Sequence, residues 1–169
     1  TVKIDLTAPT ITDNNTYDNT WVNFDYKVQL NPQDTSGTAN SGINTTKYCE
    51  GATCDPKQGT TISSPYILSY VGEQTTVVRY ITWDIAGNPS AEGSYTVRID
   101  KSIPTVGVSG APADWQNTDA TADVTCSDTG GSGCDSSTYK LATFTSDPVN
   151  VASLYVELSQ PLPPVSEHV

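Results

Sequence analysis

A short phrase occurs twice. Val2-Lys3-Ile4-Asp5 returns as Val97-Arg98-Ile99-Asp100, 95 residues later (Ile4 to Ile99), and Pro9-Thr10 returns as Pro104-Thr105. A period of that size is one small domain, so the chain must fold as consecutive units rather than around one core. Weaker matches fill the interval: Asn19-Thr20 with Asn117-Thr118, which sets Tyr17 opposite Trp115, then Ser41-Gly42 with Ser132-Gly133, and Tyr48 with Tyr139. The divisions expected are residues 1–5 as the end of a preceding repeat, 6–100 as the first domain, 101–159 as the second, and 160–169 as a Pro-rich tail.

Within the first repeat the period is that of strands. From Trp21 to Leu30, Val22, Phe24, Tyr26, Val28 and Leu30 share one face, while Asn23, Asp25, Lys27 and Gln29 share the other. Such alternation marks a half-buried strand. Further strands are expected over 43–48, 65–71, 74–83 and 94–99, with polar loops over 31–42 and 49–59 between them. Thr, Ser, Asn, Asp and Gly are abundant and no segment of any length has a helical period, as in an all-β protein with many turns. The run Val77 to Trp83 leads into Asp84-Ile85-Ala86-Gly87-Asn88-Pro89-Ser90, and Tyr95 to Ile99 leads out. That is a hairpin: Asp84 accepts turn N–H groups, Gly87 takes positive φ, and Pro89 interrupts the ladder.

These residues resemble the tandem Ig-like repeat modules of bacterial surface proteins and adhesins. The resemblance rests on the Pro-Thr start (Pro9-Thr10), the aromatic ahead of Asn-Thr (Tyr17, Trp115), Asp34 with Ser41-Gly42 and Tyr48, and the Asp-x-Ala-Gly-Asn-x-Ser hairpin from Asp84 to Ser90. It spans the first repeat and reaches about Tyr139 in the second. It implies an all-β fold of tandem Ig or fibronectin-III-like β-sandwiches, an extracellular or cell-surface location, end-to-end stacking and no catalysis. The second repeat departs from the pattern. It lacks a second Asp-x-Ala-Gly-Asn hairpin and supplies about five strands, near 105–108, 120–126, 138–144, 149–152 and 154–158, where a sandwich of this kind needs about seven. Two readings remain open for it: a strand from another chain completes it, or residues 154–158 fold back and close a smaller sandwich.

Cys49, Cys54, Cys126 and Cys134 form two local pairs, and His168 is the only histidine. The spacings do not match common zinc knuckles, so disulfides Cys49–Cys54 and Cys126–Cys134 are expected, and with them an oxidising compartment. Matching apolar positions sets Val28 opposite Cys126 and Ile43 opposite Cys134, as though the second repeat had exchanged an apolar contact for a bond. The formal net charge of −11 argues against nucleic acid and anionic lipid, which require clustered Lys and Arg. No apolar run is long enough for a membrane helix.

Catalysis has little to stand on. His168 follows a Pro-rich stretch, no Gly-x-Ser-x-Gly elbow is present, and pairs such as Asp123 and Asp128 are ordinary turn residues. The candidate metal ligands are Asp5, Asp84, Asn88 and Asp100, which fall near the junction between modules and offer calcium its oxygen donors. The same side chains serve equally as turn caps, and both readings stay open. No cofactor is required. Lys3, Lys27 and Lys101 are the candidates for an isopeptide cross-link, with no carboxylate to assign to it. Tyr66, Tyr70, Tyr80, Trp83 and Trp115 are available for a sugar platform, although a sandwich would bury most of them.

The function expected is structural: a stalk segment of an adhesin, fibre or surface layer, whose partners are neighbouring repeats of the same protein. The alternative is a module that binds carbohydrate or a host protein through loops 31–42 and 49–59. Those loops carry no aromatic residue.

Overall fold

A computed structural model describes residues 2–35, 40–115, 117, 122–135, 139–142 and 155–158. Among the described residues twelve strands run in chain order as β1 (Thr10–Asp13), β2 (Trp21–Val22), β3 (Tyr26–Gln33), β4 (Ile43–Glu50), β5 (Thr60–Ile62), β6 (Ile67–Tyr70), β7 (Gln74–Asp84), β8 (Gly93–Ile99), β9 (Thr105–Ser109), β10 (Asp123–Ser127), β11 (Tyr139–Ala142) and β12 (Tyr155–Leu158). One 3₁₀ turn, Pro56–Gln58, lies between β4 and β5. The protein is all-β. It divides into two units, Thr1–Lys101 and Ser102–Val169.

The first unit holds two sheets, a three-stranded β1-β3-β6 and a five-stranded β2-β8-β7-β4-β5. Alternation sends Val28 and Leu30 of β3, Leu68 and Tyr70 of β6, Val78 and Tyr80 of β7, and Tyr95, Val97 and Ile99 of β8 into one shared core. Burying side chains of this size stabilises by about 1.5–3 kcal/mol each. Two hydrogen bonds then link the sheets. The Tyr70 and Tyr95 hydroxyls meet at 2.6 Å inside the core. The Tyr80 hydroxyl donates to Asp13 Oδ2, joining β7 to β1. Tyr66 packs against this core and Trp83 is half-buried, so four of the five aromatics weighed as a sugar platform are wholly or partly withdrawn from solvent. Trp115 of the second unit is fully exposed.

The stretch 21–30 keeps its alternation but is not one strand. It bends at 23–25, because its two ends belong to different sheets. Trp21 and Val22 pair in parallel with Arg98 and Ile99, and β3 pairs antiparallel with β1 and β6. The Arg98 guanidinium lies 5.4 Å from the centre of the Trp21 ring, a cation–π contact that covers this pairing. Strands β1 and β5 were not foreseen; both are short and carry Thr rather than a clean apolar stripe. Lys101 ion-pairs with Asp25, while Lys3 and Lys27 are exposed, so none of the three has the buried setting an isopeptide bond needs.

In the second unit the described strands form two antiparallel pairs, β9-β10 and β11-β12. The first pair reproduces β1-β3. Thr105 sits across from Ser127 as Thr10 sits across from Gln33. In each case the Thr hydroxyl donates to the partner's carbonyl, at 3.3 and 3.4 Å. This register corrects the apolar matching of the sequence: Cys126 stands in the place of Pro32, not Val28. The error arose from pairing apolar residue with apolar residue across a loop whose length differs between the repeats. Bonds join Cys49 to Cys54 and Cys126 to Cys134, with Cα atoms 6.1 and 6.3 Å apart. The expected strand near 149–152 and the tail 160–169 lie outside the described residues, as does His168.

Candidate metal centre

Three carboxylates from distant parts of the first unit converge. Asp5, Asp34 and Asp84 each place a carboxylate oxygen within 4.8 Å of the other two. Asp84 ends β7 and is fully buried, because it closes the hairpin from inside. Its Oδ1 accepts the Asn88 N–H at 2.8 Å and its Oδ2 accepts the Asn88 side-chain amide at 2.7 Å. Gly87 at φ +96° supplies the left-handed step the turn needs, a conformation a Cβ disfavours.

Asp34 follows β3 and turns back onto the next strand's approach. Its Oδ2 accepts the Gly42 N–H at 2.6 Å, with Gly42 at φ +87°. Its Oδ1 is buried and, among the described residues, has no hydrogen-bond partner. Asp5 comes from the extended segment ahead of β1. Its Oδ1 accepts the Thr7 N–H at 3.0 Å and its Oδ2 the Ser41 N–H at 2.7 Å. The Thr7 hydrogen bond is the main cause holding the Asp5 carboxyl below the ordinary value. Asn88 then fastens this segment: its amide donates to the Asp5 carbonyl at 3.1 Å and the Thr7 carbonyl at 3.4 Å.

Two of the four candidate ligands, Asp5 and Asp84, are therefore together. Asn88 is beside them, but its amide nitrogen is turned onto Asp84, Asp5 and Thr7, so it positions the carboxylates. Asp100 does not join the group. It follows β8, buried, with its N–H on the Val22 carbonyl at 2.9 Å. Asp34 was missing from the candidates. Its signal was in the sequence all the same, as the Asp…Ser-Gly pattern shared by both repeats. The second unit repeats that pattern in space. Gly133, at φ +80°, donates to Asp128 Oδ2 at 2.7 Å, and Asp128 Oδ1 is again buried without a partner.

The atoms facing one another here are oxygens, backbone N–H groups and the Asn88 amide. Among the described residues no Lys or Arg forms an ion pair with Asp5, Asp34 or Asp84. Three carboxylates so placed form a hard, anionic donor set of the kind that suits Ca²⁺ or Mg²⁺ and not the softer transition metals. Comparison of the chain with protein-family models, with curated proteins and with solved structures gave no match.

Proposed function

We propose that the chain is a non-catalytic spacer, a slice of a tandem array of Ig-like β-sandwich modules in an extracellular stalk, fibre or surface layer. The observation that carries this reading is the fate of the repeated phrase. As part of β8, Val97 and Ile99 are both 0% exposed. As the segment ahead of β1, Val2 and Ile4 are 88% and 64% exposed, with no strand partner among the described residues. Residues 2–5 thus carry the pattern of a module's last strand without the module, and a preceding repeat would bury them.

The first unit also suits mechanical use. The strand nearest its amino end that joins the large sheet, β2, lies parallel to β8, the strand at its carboxyl end. Asn19 N–H on Thr96 O at 3.0 Å and Asp100 N–H on Val22 O at 2.9 Å extend the pairing. Force applied through the two ends shears these bonds together rather than opening them singly. Two disulfides fit an oxidising environment outside the cell. Among the described residues no helix is long and apolar enough to cross a membrane.

Single-molecule pulling through the chain ends tests the reading. Trp21 to Ile99 spans 99 − 21 + 1 = 79 residues, less the five spacings short-circuited by Cys49–Cys54. At about 3.5 Å per residue, the first unit should open in one step that releases about 260 Å of chain. Gradual opening in several small steps at low force would contradict a spacer role.

A further inference from the structure

We infer that Asp5, Asp34 and Asp84 form a calcium site that clamps the incoming chain onto the first unit. This goes beyond the spacer reading and does not depend on it. Carboxylate clusters are common on acidic proteins, so the cluster alone would carry nothing. The decisive feature is Asp34. It is only 8% exposed, yet among the described residues its Oδ1 has no hydrogen-bond partner. A buried carboxylate oxygen left bare is costly, because burial removes the water that would otherwise satisfy it. Asp34 sits in the one place where two further carboxylates approach it. A divalent cation supplies the missing partner and offsets the charge of all three.

The donor set favours calcium. Magnesium is usually held by one or two carboxylates and keeps several waters, whereas calcium accepts several carboxylates in a flexible shell. The three oxygens lie within 4.8 Å of one another, so one ion can reach all three. The backbone N–H groups of Thr7, Ser41, Gly42 and Asn88 already hold the carboxylates in orientation, leaving further lone pairs free to face an ion. Water completes the six to eight ligands calcium takes.

The second unit repeats the loop without the neighbouring carboxylates, and so serves as its control. Asp128 has the same Gly N–H on Oδ2 and the same unpartnered Oδ1. It lacks the third element, because the sequence has no second Asp-x-Ala-Gly-Asn hairpin. Among the described residues this leaves one candidate calcium site, at the first unit. There it ties together three segments: the approach to β1, the end of β3 and the β7–β8 hairpin.

Calorimetric titration with calcium chloride, paired with thermal melts in calcium and in chelator, tests the assignment on the whole chain. The expected result is one high-affinity equivalent, a melting temperature several degrees higher in calcium, and binding at least tenfold weaker with magnesium. Asp34→Asn should weaken calcium binding at least tenfold and remove the thermal shift. Asp128→Asn should change neither. Asp5 lies on the extended segment outside the core, so Asp5→Asn provides a second variant that folds if Asp34→Asn does not, and it too should lose the shift. Calcium binding that survives both variants, or weak binding of several equivalents with no thermal shift, overturns the assignment. Loss of the calcium site with the pulling behaviour intact would refute only this inference, and the converse only the spacer reading.

Discussion

The Tyr70–Tyr95 hydrogen bond gives the sharpest test of how the two sheets are joined. Tyr70 lies on the three-stranded sheet and Tyr95 on the five-stranded one, and their hydroxyls meet at 2.6 Å in the buried core. Replacing Tyr70 by Phe leaves the Tyr95 hydroxyl buried without its partner, at a cost of about 1–3 kcal/mol. Tyr95→Phe does the same to Tyr70. The double variant Tyr70→Phe/Tyr95→Phe strands no polar group and loses only the net value of the bond, about 0.5–1.5 kcal/mol. The singles should therefore sum to more than the double, with a coupling energy of about 1.5–4.5 kcal/mol. Urea unfolding followed by tryptophan fluorescence measures this, in a Trp115→Phe background so that Trp21 and Trp83 report on the first unit alone. Trp115 is fully exposed, so its replacement should not affect stability. If the double variant costs as much as the two singles combined, the hydroxyls are not partners and the facing of the two sheets is wrong.

Opening Cys49–Cys54, whose sequence separation is 5, as Cys49→Ser/Cys54→Ser should lower stability by about 2 kcal/mol on the loop-entropy estimate, read as a fall in the urea midpoint. The pH profile should fall on both sides. Asp5 and Asp25 are held below the ordinary 3.8, chiefly by the Thr7 N–H and by Lys101 respectively, so their contribution is present above pH 3.8 and is lost as pH drops through the lower folded values. Burial raises Tyr70, Tyr80 and Tyr95 above the ordinary 10.0, so their contribution is intact below pH 10.0 and is lost as pH climbs through the higher folded values. Melting temperatures across pH 2–12 should show a plateau between these limbs, and the alkaline limb should weaken in Tyr70→Phe/Tyr95→Phe.

The sequence made legible what depends on local alternation. Val28 and Leu30 against Lys27 and Gln29, and Leu68 and Tyr70 against Ile67 and Ser69, face as period two requires. The hairpin was legible because Asp84, Gly87 and Asn88 are close in sequence and each has one job. Alternation does not say which sheet a strand joins, so the bend at 23–25 was invisible. The carboxylate cluster was half visible for a related reason. Asp5, Asp34 and Asp84 are 29 and 50 residues apart, and only the folded sheets bring them together. Asp100 was grouped with them by its place near the module junction, yet in the repeated phrase it is the counterpart of Asp5. The Val28–Cys126 match failed where Asp34–Asp128 would have succeeded, because a turn carboxylate paired with a glycine N–H fixes register more tightly than one apolar residue among many.

The central claim is that residues 2–5 are the last strand of a module of this same kind, so that the chain is a slice of an array. It can be tested by building the missing module from the chain itself. Residues 6–96 placed directly ahead of Val2 let Val2, Lys3, Ile4 and Asp5 occupy the positions of Val97, Arg98, Ile99 and Asp100 in a new copy. Hydrogen exchange on this longer chain should show the Val2–Ile4 amides protected as strongly as those of Val97–Ile99, and its calorimetric melt should gain a second transition the size of the first unit's. Amides at 2–4 that exchange as fast as in the parent chain, with an added segment that does not melt cooperatively, would contradict the account.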